Sequence, residues 1–382
     1  MRICLIYDCL YPYTVGGAER WYRALADELV RAGHEVTYLT RRQWEVGTAP
    51  EVPGVRVVAV SPDEPLYDEA GRRRIAPPLR FGAGVARHLL QNRHRYDALH
   101  SGAFPYFALL GARLALAGRP IPIGVDWFEV WSPVYWREYL GAPGGFVGRT
   151  VQRLCVRATD RAFVFSDLHA RRLRAEGLRS EPIRLSGLYG GPLAAHERDG
   201  ASADRPPLVV FAGRHIPEKR VETLPAAIMA ARAKVPGLRG LILGDGPRRE
   251  AVIEAIAGAG AGAFVEAPGF VPAGEVADAL AAATCHVLPS AREGYGLVVI
   301  EAAANGTPSV VVRGEDNAAA ELVTDGLNGF VAPSHDALAD AIVAVHDGGH
   351  TLRERTRRWF EENAPSLQAV RSAQQIVEVL GR

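Results

Sequence analysis

The chain has 382 residues, long enough for two α/β domains, with 48% hydrophobic and 23% charged residues. No apolar run approaches the length a membrane helix needs, and the opening MRICLIYDCLYPYT reads as a core strand, so a cytoplasmic location is expected. The net charge of +1 hides an asymmetry: residues 1–190 carry 26 Arg and Lys against 19 Asp and Glu, the remainder 18 against 24, which suggests an anionic partner on the N-terminal side. No recognition fold or stacking motif accompanies those cations, so nucleic acid is not indicated. Cys4, Cys9, Cys155 and Cys285 lack ligand or CxxC spacing and read as small buried hydrophobes.

Strand-like runs alternate with helical patterns. RICLIYD is a strand, AERWYRALADELVRAG a helix stopping at Gly33, and HEVTYLT a second strand; DALHS, IPIGVD and RAFVFS follow as strands. From about Gly190 to Pro207 the composition is that of a linker. The pattern then restarts: LVVFAG, a helix around TLPAAIMAARAKV, LRGLILGDG, helix REAVIEAIAG, AFVEAP, helix GEVADALAAA, CHVLPS, a helix from near Tyr295, PSVVV and GFVAP. Such alternation predicts two Rossmann-like halves with mostly parallel sheets, whose ligands sit beyond the carboxyl ends of the strands.

Three clusters stand just after strands. Gly16-Gly17 closes the loop after strand one and suits either a phosphate approached by backbone N–H groups or a plain tight turn. GxGxxG is absent, and Thr40-Arg41-Arg42 stands where a nicotinamide site wants an acidic residue. Gly213-Arg214-x4-Lys219 follows LVVFA; Arg as a planar fork and Lys as a point charge can clamp a diphosphate, with surface ion pairing as the alternative. Lys219 and Lys234 are the only lysines among 44 basic residues, which sets Lys219 apart. The most specific cluster is Glu293-Gly294-Tyr295-Gly296-Leu297 running on to Glu301, an E-x7-E pattern across a Gly-rich strand–helix turn. Glu293 is expected in the loop, free for sugar hydroxyls, and Glu301 about two turns into the helix, within reach of a ribose.

Weaker signals surround these. Gly244-Asp245-Gly246-Pro247 reads as a turn. His100 and Asp126 each follow a strand and serve a cleft or the core equally well. From Trp127 to Tyr139 six aromatics occupy 13 residues, an acceptor wall (with Asp126, Trp127 and Glu129) or core packing under a loop. Arg149, Arg153, Arg157 and Arg161 stand at i+4 spacing, placing four cations on one helix face, either a solvated stripe or a contact for anionic lipid.

Taken together, GGAE, the His after a mid-domain strand, AFVFSDLHARRL, GR-x-x-PEK, GDGP, APGF and EGYGLVVIEA resemble family four of the retaining glycosyltransferases across nearly the whole length. The resemblance implies the GT-B fold: two Rossmann-like domains with parallel sheets facing an interdomain cleft. Residues 1–190 would be the acceptor-side domain, 191–206 a linker and 207–363 the nucleotide-sugar domain, with a helix of about 364–382 packing back on the first. It further implies that Arg214 and Lys219, with Gly213, hold the donor diphosphate, that Glu293 binds the transferred sugar and Glu301 the ribose, and that His100 faces the reacting sugar. Gly16 and Gly17 would face phosphate and acceptor, Gly269-Phe270-Val271 would lie under the nucleobase, and Gly294, Tyr295, Gly296 and Leu297 would line the donor.

Two departures fall on the acceptor side: Ser186-Gly187-Leu188-Tyr189 replaces the family's Asn-Gly-Val-Asp, and Val125 its His before the mid-domain Asp. D-x-D is absent, so the expectation is a metal-independent enzyme without cofactor, using a nucleoside diphosphate hexose, UDP by family frequency, and a glycan, lipid-linked or small-molecule acceptor. A sugar-nucleotide epimerase, a phosphorylase and a non-catalytic sugar-nucleotide binder are the alternatives.

Overall fold

The computed structural model describes all residues except 46, 49, 67–73, 192–205 and 382, so most of the expected linker lies outside the described residues. The chain forms two units, residues 1–190 with 368–382, and residues 191–367.

In the first unit the strands are β1 (Arg2–Ile6), β2 (Glu35–Arg41), β3 (Val55–Ser61), β4 (Ala98–Gly102), β5 (Ile123–Trp127), β6 (Arg161–Val164) and β7 (Ile183–Arg184). They make one seven-stranded sheet in the order β3-β2-β1-β4-β5-β6-β7, and each adjacent pair is parallel. Helices α1 (Gly17–Arg31), α2 (Ala76–Asn92), α3 (Tyr106–Ala115), α4 (Pro133–Ala158) and α5 (Asp167–Ala175) connect the strands consecutive in the chain, except β2 to β3, between which no helix is found among the described residues. Every residue of β4 and β5 is buried, as expected of central strands covered on both faces, whereas the edge strand β3 shows only partial burial.

In the second unit β8 (Leu208–Ala212), β9 (Arg239–Leu243), β10 (Val265–Gly269), β11 (Cys285–Leu288), β13 (Ser309–Val312) and β15 (Gly329–Ala332) form a parallel sheet ordered β10-β9-β8-β11-β13-β15. A two-stranded element pairs β12 (Arg292–Glu293) with β14 (Asp316–Asn317). Helices α6 (Leu224–Arg232), α7 (Arg249–Gly258), α8 (Ala273–Ala282), α9 (Leu297–Ala303) and α10 (Leu338–Leu367) complete it, and Val209, Phe211, Ile228, Val287, Val310 and Ile342 belong to its apolar core. α10 is two helices joined at Gly349, which has φ of 49°.

The last helix, α11 (Ala369–Leu380), belongs to the first unit. It lies against α1 and β5. Ser372 fastens it, its hydroxyl donating to the Gly187 carbonyl at 2.7 Å and accepting from the Gly187 N–H at 3.2 Å. No helix among the described residues is long and apolar enough to cross a membrane.

Candidate active site

In the second unit the chain order turns at β8 and β11: β9 and β10 extend the sheet to one side, β13 and β15 to the other. Loops leaving adjacent strands at such a point diverge and open a crevice at the carboxyl edge. The loop after β8 carries Gly213, Arg214 and Lys219; the segment after β11 carries Ser290 through Gly296.

Those two loops are laced by opposite charges. The Ala291 N–H donates to the Glu218 carbonyl at 2.9 Å, and Arg292 donates to the Glu218 carboxylate at 2.8 Å. One residue further along each loop, the Lys219 ammonium donates to Glu293 Oε1, which also accepts from the Ser290 hydroxyl at 2.6 Å. Asn317 braces the turn from β14, its amide donating to the carbonyls of Ser290 (2.9 Å) and Val312 (2.7 Å). Glu293 is buried and lies on β12, so the expectation of a free loop carboxylate is corrected: it is held by a cation and a hydroxyl. Arg214 is exposed, and among the described residues its guanidinium has no hydrogen-bond or ion-pair partner.

Beneath Lys219, His286 of β11 has a pKa pushed down to about 3, by burial first and the Lys219 charge second; its Nδ1 lies 3.0 Å from the Ser309 hydroxyl. The strand floor is therefore uncharged under the cation.

The loop after β9 touches the loop after β8 backbone to backbone. The Gly213 N–H donates to the Leu243 carbonyl (3.0 Å), the His215 N–H to the Asp245 carbonyl (2.8 Å), and the Arg248 N–H to the His215 carbonyl (2.9 Å). Gly244 has φ of 122°, and a Cβ there would stand 1.8 Å from the Gly213 oxygen, so this turn is a structural part of the crevice. His215, buried in this seam, was not singled out by the sequence; neither of its ring nitrogens has a hydrogen-bond partner among the described residues. Burial, followed by the Arg249 charge, holds its pKa below the ordinary histidine value, opposed by Asp245.

The remaining expected donor residues also sit at this edge. Gly269 ends β10, Phe270 is 69% exposed, and Val271 is partly buried. Gly296 caps α9 with φ of 95°, in a space where a Cβ would meet Ala319 at 2.6 Å; Tyr295 is buried and Gly294 and Leu297 partly so. Because α9 begins at Leu297, Glu301 is its fifth residue, about one turn in rather than two. Ser290, Glu218, Arg292 and Asn317 complete the cluster and were missed, since their partners lie up to 74 residues away.

In the first unit the expectations fare differently. Gly16 precedes α1 and Gly17 opens it, at the carboxyl end of β1 where that sheet's order turns between β1 and β4. His100 is fully buried in β4, its Nε2 2.9 Å from Asp126 Oδ2 but without hydrogen-bond geometry. Asp126 is equally buried and accepts from the Trp21 indole at 2.7 Å. Trp127 is a core residue donating to Thr159 at 3.3 Å, while Glu129 accepts from the Trp131 indole at 2.9 Å. The acceptor-wall reading of Asp126 and Trp127 is thus corrected to core packing, and His100 is placed inside the core. The four-cation stripe dissolves as well. Arg161 is the first residue of β6, not of the helix, and Arg149 and Arg153 both grip Glu176, at 2.9 and 2.6 Å; of the four, Arg157 is the one on α4 that is exposed and has no ion pair among the described residues.

Two family descriptions match the chain, "Glycosyl transferase 4-like domain" over residues 16–187 and "Glycosyl transferases group 1" over residues 194–365, together spanning nearly all of it. The glycogen synthase of Mycobacterium tuberculosis is 26% identical over 387 residues, covering 94% of this chain and 89% of that protein. A D-inositol 3-phosphate glycosyltransferase of Nocardia farcinica is 33% identical over 173 residues, 43% of this chain and 38% of that protein. Among solved structures, the sucrose-phosphate synthase of Thermosynechococcus elongatus superposes with a TM-score of 0.79 at 20% identity, covering 99% of this chain and 98% of that one. Anabaena HepE, in complex with UDP and glucose, gives 0.74 at 20% identity over 100% and 99%. At such identities the structural likeness speaks to the fold.

Proposed function

Starting from the fact that this chain belongs to the group 1 glycosyltransferases of the GT-B fold, we propose that it moves a hexose from a nucleoside diphosphate donor to an acceptor hydroxyl with retention of anomeric configuration. The observation that carries this reading is the Lys219–Glu293 pair at the turning point of the second sheet. A donor presents both complements at once: its diphosphate takes the cation and its sugar hydroxyls the carboxylate. Arg214, exposed and without a partner among the described residues, adds a second charge for the diphosphate. Glu301 serves the ribose, and Phe270 with Gly269 and Val271 the base. UDP is the nucleotide favoured, in keeping with the ligand of HepE.

In the step itself, the bond from the anomeric carbon to the diphosphate oxygen breaks, and the acceptor oxygen bonds to that carbon on the same face. The acceptor proton passes to the departing phosphate oxygen, so no protein base is required. Lys219 and Arg214 stabilise the charge that develops on the leaving group, a role metal ions fill elsewhere. An α-linked UDP-hexose should therefore give an α-linked product, read from the anomeric coupling constant by proton NMR, and the rate should persist in EDTA. A β-product would overturn retention; a hundredfold loss on chelation, restored by Mg²⁺, would overturn the metal-free assignment.

The outer face of α4 supports a further partner, an anionic bilayer. Phe146 is 75% exposed, and Val147, Leu154 and Arg157 share that side of the helix. Apolar side chains flanked by a cation suit an interface of lipid headgroups. Co-sedimentation with phosphatidylglycerol-containing vesicles should fall with salt, be lost in Phe146→Ser/Leu154→Ser, and weaken by about 1 kcal/mol in Arg157→Gln. Absence of binding at low salt would return this face to solvent.

A further inference from the structure

At the carboxyl edge of the first unit's sheet, the loops after β1, β2 and β3 meet around a cavity of about 440 Å³ lined by Tyr13, Gln43, Trp44, Glu45, Thr48 and Asp63. The rings of Tyr13 and Trp44 stand 5.8 Å apart at 51°, and Tyr13 is 47% exposed. Gln43 fixes the spacing of the first two loops. Its carbonyl accepts from the Leu10 N–H (3.2 Å) and the Thr14 hydroxyl (2.7 Å), while its amide donates to Thr40 Oγ1 (3.3 Å) and the Arg41 carbonyl (3.1 Å). With its amide committed, Gln43 is a positioning residue.

The rim is acidic. Asp63 is oriented by Arg41 at 3.1 Å, yet most of its side chain remains exposed. Glu45 is exposed, and its carboxylate has no partner among the described residues. Arg41 is buried and committed to Asp63 and the Glu64 carbonyl, and no cation is among the described residues lining the cavity. Aromatic faces take the C–H face of a saturated ring, and carboxylates accept from hydroxyl or ammonium groups. A phosphate or carboxylate on the ligand would face the uncompensated Glu45 charge, that of Asp63 being offset by Arg41.

We propose that this cavity is the acceptor subsite and that it takes a polyhydroxylated ring, neutral or aminated, that bears no anionic group. The inference rests on the transferase reading above and names the class of its acceptor, in place of the buried Asp126 and Trp127.

Saturation-transfer NMR on the full chain tests it with three probes: myo-inositol, glucosamine and glucose 6-phosphate. The first two should give signals in the unaltered protein and in Glu293→Gln, reduced at least about fivefold in Trp44→Ala and in Tyr13→Ala. Glucose 6-phosphate should give a signal several-fold weaker than that of glucosamine, and Glu45→Gln should narrow that gap. Equal signals in both aromatic variants, no signal from either myo-inositol or glucosamine, or glucose 6-phosphate binding as well as glucosamine would each overturn the assignment. Thermal stabilisation by UDP, measured alongside, reports the donor side separately: it should survive in Trp44→Ala, and its absence from the unaltered protein would sink the donor reading without touching the acceptor one.

Discussion

Replacing Lys219 by Ala should lower turnover roughly 100–1,000-fold while the protein remains folded. The ammonium is a charge donor already in place before the donor arrives, held beside Glu293 by loops that are themselves tied through Glu218, Ala291 and Arg292. Its removal also leaves the buried Glu293 carboxylate, among the described residues, with only the Ser290 hydroxyl, at a cost of about 1–3 kcal/mol in stability. The two effects separate in a double variant. Adding Glu293→Gln removes the orphaned charge, so urea unfolding should recover toward the original midpoint while turnover stays low. Arg214→Ala, having no partner to orphan among the described residues, should lose turnover with no change in unfolding. Near-normal rates in both Lys219→Ala and Arg214→Ala would remove these cations from the chemistry.

Gly244→Ala should cost about 2–5 kcal/mol, the sum of a strained backbone and an overpacked seam. At φ of 122° a side chain is disfavoured whatever the surroundings, and here the surroundings are the Gly213 carbonyl at 1.8 Å from the added carbon. Relief requires the loops after β8 and β9 to part, which breaks the Gly213–Leu243 and His215–Asp245 hydrogen bonds and moves Arg214 with them. Gly258→Ala is the control: nothing lies within 4 Å of a Cβ there, and the residue ends α7 at an ordinary helical φ. Urea unfolding should place Gly244→Ala well below the unaltered protein and Gly258→Ala at or above it. Equal midpoints for the two variants would refute the close-approach account.

The sheets were legible because central parallel strands are continuous apolar runs, as in SVVV of β13 and CHVL of β11. The edge strand β3, VRVVAVS, passed unread: it has one neighbour and alternates only loosely. Position along the chain located the residues that follow strands but not the direction their side chains take. Asp126 and Trp127 end a strand whose five residues are all buried, so standing at the carboxyl edge did not make them accessible. The arginine spacing was misread for a similar reason. An i+4 series carries no mark of the helix's end, and α4 stops at Ala158, three residues before Arg161. The donor loops were located by their glycines, whereas the ties between them were not, because Lys219 and Glu293 are 74 residues apart. Trp44 and Tyr13, 31 residues apart and in no motif, gave no signal at all.

The placement of α11 bears on how the molecule is made. Residues 1–190 leave the ribosome with Trp21, Leu25 and Leu29 on α1 but without the helix that lies against α1 and β5. All of residues 191–367 must be translated before α11 follows, a delay of roughly 10–35 s at 5–20 residues per second. Throughout that interval the nascent first unit lacks the cover that α11 gives α1 and β5, while the second unit, contiguous in sequence, can already close its own core. The later-made unit is thus free to finish folding first, and the earlier-made one waits for the tail.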